Sequence, residues 1–147
     1  MTNNEFFEFC VAIGRELAIN DIFMLAEKNE IILQDIRIGL YYTAGTDEAI
    51  SCFADIGYLD NEIRPDIFEI ILSINLEMNG VNSESLGFDR DTGHLILRAE
   101  LPLTLESAEV AEYLSEYADF AKDLRAMIYS QKNHSNELSD FMVDTLA

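Results

Sequence analysis

The residues with most chemical potential gather at 89–94, read Asp-Arg-Asp-Thr-Gly-His. Asp89 and Asp91, with Glu100 at the twelfth place, are spaced like the start of a calcium loop, where alternate oxygens converge on the ion. Such a loop needs glycine at the sixth place and helices on both sides. Here Gly93 is fifth and the flanks alternate like strands, so calcium binding is not expected. His94 and His134 are isolated and lack zinc-site spacing; His94 reads as a solvent-facing strand residue. Cys10 and Cys52 lie on apolar faces without an activating neighbour, and read as small core residues with reduced thiols. The chain lacks a phosphate loop, a G-x-G-x-x-G and a nucleophile elbow. Its carboxylates are many, but no spacing picks out a catalytic pair. The expectation is a protein that is not an enzyme and needs no cofactor or metal. A small α+β enzyme or ligand-binding domain, with a site assembled from distant residues, is the alternative.

The elements around these residues follow from periodicity. Leu95, Leu97, Ala99 and Leu101 alternate with His94, Ile96, Arg98 and Glu100, the pattern of a half-buried strand. With 85–88 and the polar turn 89–93 it forms a β-hairpin. Pro102 ends the strand, and Thr104 is the expected N-cap of a long helix with Glu106 and Glu109 at its positive end. Val110, Leu114, Tyr117, Ala121, Leu124 and Ile128 give that helix its core stripe, with Lys122 and Arg125 near its C-terminal end. Earlier, Ile36, Ile38, Leu40 and Tyr42 alternate, as do Ile50, Cys52, Ala54 and Ile56. Phe23-Met24-Leu25 and Ile31-Ile32-Leu33 read as short strands about the turn 28–30. The fold class is α+β: an antiparallel sheet of about five strands with three helices, in the order α-β-β-β-α-β-β-α.

Two helical stretches carry more apolar surface than one packing face needs. Thr2 and Glu5 have capping-box spacing before the first, which Asn20-Asp21 is expected to stop. Phe6, Cys10, Ile13 and Leu17 form its core line. Phe7 and Val11 lie roughly 100–140° round from Phe6, at about 100° per residue. They are expected to border a groove unless a neighbouring strand or the C-terminal tail covers them. The second stretch runs from Pro65 to Gly80, at its expected ends. Its apolar arc of roughly 240° leaves only Glu69, Ser73 and Glu77 as a polar strip. Ile67, Ile70, Ile71, Ile74 and Met78 mark it as a dimer interface. A central helix buried wholly within one chain is the equal alternative.

Composition bounds the partners. Nine Lys and Arg against 28 Asp and Glu give a net charge of −19, where a small domain carries a magnitude of about 2–8. Such a chain is repelled by nucleic acid and by anionic membranes, and suits a basic or weakly charged polypeptide. No apolar run approaches the roughly 18 residues of a membrane span, and the first residues lack the basic region of a secretory signal. A single domain over 1–130 is expected, with a flexible C-terminal tail over 131–147. That tail is polar except for Phe141, Met142, Val143 and Leu146, and has room for one short docking segment.

The order of elements, with Ile71-Leu72-Ser73-Ile74-Asn75-Leu76 ahead of Gly80, Leu86-Gly87-Phe88-Asp89, Gly93-His94-Leu95-Ile96-Leu97 and Leu101-Pro102-Leu103, resembles the class I type III secretion chaperones, the Tir chaperone family. The resemblance spans about 3–129 and leaves out the tail. It implies a homodimer in a bacterial cytoplasm, joined through the helix over 65–78. The partner it implies is the N-terminal segment of a secreted effector, held extended and export-competent without ATP. Apolar cargo side chains would fill surface grooves and edge strands would add cargo strands. On this resemblance the effector-contacting set is Phe7 and Val11 with Ile38, Leu40 and Tyr42 of the alternating strand. A regulatory protein of the same fold, sequestering a cytosolic partner to couple secretion to transcription, is the nearer rival.

Overall fold

The computed structural model describes residues 1–45, 47–78 and 83–130. Gly80, His134 and the tail over 131–147 lie outside the described residues. Helix α1 (Asn3–Glu16) starts at the expected capping box: the Thr2 side chain accepts from the Glu5 N–H, and the Glu5 carboxylate accepts from the Thr2 N–H. It ends sooner than Asn20-Asp21, with Leu17 as C-cap and Ala18 at a left-handed φ of 54°. The early stop has a packing cause. A side chain at Gly14 would stand 2.5 Å from the Ile22 carbonyl oxygen, so the chain doubles back closely over this glycine.

The segment read as a first short strand is instead helix α2 (Met24–Lys28). Asp21 nucleates it, its carboxylate accepting from the Phe23 N–H at 3.0 Å and its carbonyl from the Met24 N–H at 3.2 Å. Asn29 closes it in the left-handed conformation, donating to the Leu25 carbonyl. Such a residue is the usual terminator of a helix.

The sheet follows: β1 (Glu30–Leu33), β2 (Ile36–Thr43), β3 (Ala49–Tyr58), then helix α3 (Arg64–Glu77), then β4 (Ser85–Asp89) and β5 (His94–Leu101). The five strands are antiparallel in the order β1-β2-β3-β5-β4. Among the described residues there are four helices where three are expected, the additional one being α2. The hairpin turn between β4 and β5 is built as anticipated, the Asp89 carboxylate accepting from the Asp91 N–H and the Gly93 N–H bonding the Asp89 carbonyl.

Helix α4 (Ser107–Tyr129) begins two residues beyond the expected cap. Thr104 sits in a turn; Glu106 is the N-cap, in a reciprocal capping box with Glu109. All six stripe residues of α4 are buried. Tyr117 reaches from it into the sheet, donating toward the carbonyls of Leu97 and Cys52 and so tying β5 to β3. One sheet face carries Ile31, Ile36, Ile38, Leu40, Ile50, Cys52, Ala54, Leu95, Leu97, Ala99, Leu101 and Leu86. These join Phe6, Cys10 and Ile13 of α1, Ile67, Ile71 and Ile74 of α3 and the α4 stripe in one core cluster. The other face holds no buried residue except Gly39.

Candidate functional site

The sequence points to two surfaces on α1 and β2 and one on α3. On α1, Phe6, Cys10 and Ile13 face the core as expected, and Leu17 packs half-buried against it. Val11 is only 3% exposed, so the chain's own fold covers it and it does not border an open groove. Phe7 remains half-buried outside the core cluster.

Of the β2 residues expected to meet a partner, Ile38 and Leu40 are fully buried. The alternation was read correctly, but it points these two inward beneath the helices. The outward set is Arg37, Gly39 and Tyr41. Tyr42 is half-buried: its ring lies 5.6 Å from Phe6, and its hydroxyl donates to the Met1 carbonyl at 2.6 Å and also contacts the Glu48 carboxylate. That contact with Glu48 is the main reason its phenol is pushed up to about 12. Tyr42 therefore staples the N-terminus to the sheet. Phe7, Val11, Ile38, Leu40 and Tyr42 do not form one continuous surface.

On α3, Ile67, Ile71 and Ile74 are buried in the chain's own core, and Ile70 and Met78 pack half-buried against it. The wide apolar arc is divided. Its inner part is core; its outer part is Leu72 and Leu76, 70% and 81% exposed. These stand one helical turn apart and make an apolar ridge. The exposed apolar residues of α3 are therefore not the five expected at an interface, because a wheel shows the width of an arc but not which part the core occupies.

Two devices around α3 escaped the sequence reading. Asn75 turns its amide to the outer edge of β4, donating to the Leu86 carbonyl at 2.9 Å and accepting from the Leu86 N–H at 2.7 Å. It mimics a neighbouring strand and closes that edge of the sheet. The signal was present: a lone amide on the apolar part of a helix wheel. Arg64 lies over the rings of Tyr58 and Phe88, 5.7 and 5.0 Å from their centroids, and donates to the Leu59 carbonyl at 2.9 Å. It fixes the start of α3 against the sheet.

Little of this is reactive. Burial pushes the thiols of Cys10 and Cys52 up to about 12, far from a nucleophile. His94 sits on the uncovered face with Nδ1 2.8 Å from an Asp55 carboxylate oxygen. Among the described residues, no group of three or more His, Cys, Asp or Glu is arranged to hold a metal ion. No helix among them is long and apolar enough to cross a membrane.

Comparison with known proteins agrees with this architecture. No curated protein matches the chain. The model of the Tir chaperone protein (CesT) family matches residues 13–125, from the last turn of α1 to the last turns of α4. That span takes in the whole sheet and α3, and the chain belongs to the Tir chaperone (CesT) family.

Proposed function

We propose that this protein is a type III secretion chaperone that acts as a homodimer in the bacterial cytoplasm. It would bind the N-terminal segment of a secreted effector and keep it stable and export-competent. Family membership supports the class of function. The observation that carries the assembly is the bare α3 ridge, Leu72 and Leu76, on a chain of net charge −19. Neighbouring leucines this exposed mark an interaction site. A second α3 ridge, related by a two-fold axis, is its self-complementary partner.

Cargo contact is assigned to Phe7, half-buried on the flank of α1, and to the outer edge of β1, the end strand of the sheet among the described residues. The opposite edge is closed by Asn75. An extended cargo segment ordered along such surfaces loses much conformational entropy, so the contact must be extensive. The charge favours cargo with basic or neutral segments.

Co-purification from the native cytosol, with mass spectrometry of the bound fraction, tests the reading. The expected result is a secreted protein whose retention is lost when its N-terminal segment is deleted. Retention of a transcription-related protein alone would replace this reading with the sequestering regulator.

A further inference from the structure

We propose that pairing through α3 is regulated by the salt around the protein, because one flank of the helix sets like charges of two copies side by side; this rests on the α3 dimer proposed above. The Leu72–Leu76 ridge has unequal sides. At about 100° per residue, Glu69, Asp66 and Glu77 lie roughly 40°, 100° and 120° round from the ridge, all on one side. All three are exposed, and none has an ion-pair partner among the described residues. The other side is fastened to the chain's own sheet. There the Phe68 ring lies 5.0 Å from that of Phe88, and Asn75 bonds both backbone groups of Leu86.

The cations of this region do not offset the acidic flank. Arg64, the one cation of α3, belongs to the fastened side, over the rings of Tyr58 and Phe88 and bonded to the Leu59 carbonyl. Arg90 is in the hairpin turn that ends at Gly93, beside Arg64, but it stands between Asp89 and Asp91 in the chain. The charges that bracket the helix in sequence are acidic too: Asp60 and Glu62 precede it, and Glu84, which accepts from Tyr113, follows it. Residues 78–83 carry no charge.

Symmetry brings the two acidic flanks together. A two-fold axis that runs the helices antiparallel lays Leu72 of one copy against Leu76 of the other, and keeps each flank on its own side of the contact. Sliding the helices along one another changes which residues are opposite but not which flanks are. Three carboxylates from each copy therefore share one edge, giving nine cross-pairs and no α3 cation among them. At about 15 Å in water each pair is repelled by about half of RT before screening. The screening length is about 30 Å at 0.01 M salt and about 3 Å at 1 M, so salt removes this repulsion. The burial of the leucines, which is not electrostatic, keeps its strength. Association is opposed in dilute salt and released as salt rises.

Sedimentation equilibrium of the full-length protein measures the dimer constant at about 0.01 M and about 0.5 M sodium chloride, on either side of the screening range. The expected result is a Kd lower by about tenfold or more at the higher salt. Glu69→Gln with Glu77→Gln should tighten the dimer at low salt and remove most of the response, since only the Asp66 pair remains. Glu16→Gln with Glu27→Gln is the control. These are exposed carboxylates of α1 and α2; the change lowers the net charge equally and should leave most of the response in place. Equal effects of the two pairs would assign the response to the charge of the whole chain and overturn the proposal. A dimer of the same Kd at both salt concentrations overturns it as well. A chain that stays single at both, in the parent and in the α3 variant alike, removes the α3 dimer itself.

Discussion

Arg125 holds together parts of the fold that are distant in sequence, and removing it should show how much. Its Nε donates to the Ile56 carbonyl at 2.8 Å, one terminal nitrogen to Asp55 at 2.7 Å and the other to Asp35 at 2.9 Å. The first two carbonyls lie at the β3 bulge, where the pairing with β5 shifts register. The third lies in the two-residue turn between β1 and β2. A bulge leaves backbone groups without ladder partners, and α4 supplies them through one side chain. Hydrogen bonds from a charged donor contribute about 1.5–3 kcal/mol each. Two of these are part-buried and the third is exposed. The low end of that range for the first two, with little from the third, gives about 3 kcal/mol for Arg125→Met. At about 2–4 °C per kcal/mol for a chain of this size, the melting temperature should fall by roughly 6–12 °C. Arg125→Lys keeps the charge but not the planar fork, and should recover less than half of the loss. Urea titrations at one fixed protein concentration measure both, since association would otherwise shift the apparent stability. A Met variant within about 0.5 kcal/mol of the parent, the range of ordinary surface changes, would refute the reasoning.

Other changes probe other links. Asn75→Leu should lose about 1–3 kcal/mol, from the unpaired Leu86 groups, and should aggregate faster at the exposed β4 edge; unchanged stability and solubility would mean the amide closes nothing. Leu72→Glu with Leu76→Glu should leave the melt of the folded chain in place but reduce the mass by light scattering from twice 16.7 kDa to that of one chain; a persistent dimer would move the interface off α3. The β1–β2 turn holds Gln34 and Asp35 at φ of 50° and 65°, so Asp35→Gly should stabilise by about 0.5–1 kcal/mol while keeping the carbonyl that Arg125 uses; a loss in urea titration would contradict this. Cys10 and Cys52 should react with a thiol reagent at pH 8 only as fast as the protein unfolds, because burial holds both thiols up at about 12; rapid labelling of the native protein would show an open path to them.

Periodicity made the fold legible because each element has one strongly buried face. The two alternating strands, the 94–101 strand and the α4 stripe appear where Ile36–Tyr42, Ile50–Ile56, Leu95–Leu101 and Val110–Ile128 placed them. What failed was short and local. Phe23-Met24-Leu25 looks like a strand because three apolar residues have no period. Yet Met-Leu-Ala-Glu-Lys are all good helix formers; the Asp21 carboxylate holds the turn that leads into them and Asn29 caps their C-terminal end. Thr104 lost the cap position to Glu106 because a reciprocal box with Glu109 satisfies two backbone donors where a lone threonine satisfies one.

The candidate surfaces were harder, for a reason that lies in the physics of burial. A hydrophobic pattern records that a residue leaves water, not whose atoms it meets. Ile38 and Leu40 are apolar because α4 packs on β2, and Ile67, Ile71 and Ile74 because α3 packs on the edge strand β4. Among the apolar residues left exposed after the inward positions are assigned are Leu72 and Leu76 on α3, and Ile32 and Tyr41 across the sheet. These two remainders point away from the core on different elements, and their surroundings differ. The ridge stands among Glu69, Ser73 and Glu77, whereas on the sheet face Arg37 and Arg98 stand with Glu30, Asp55 and Glu100, Arg98 paired to Glu100 at 2.8 Å. The acidic border is compatible with a second α3 whose leucines bridge the contact while the carboxylates stay at its wet rim.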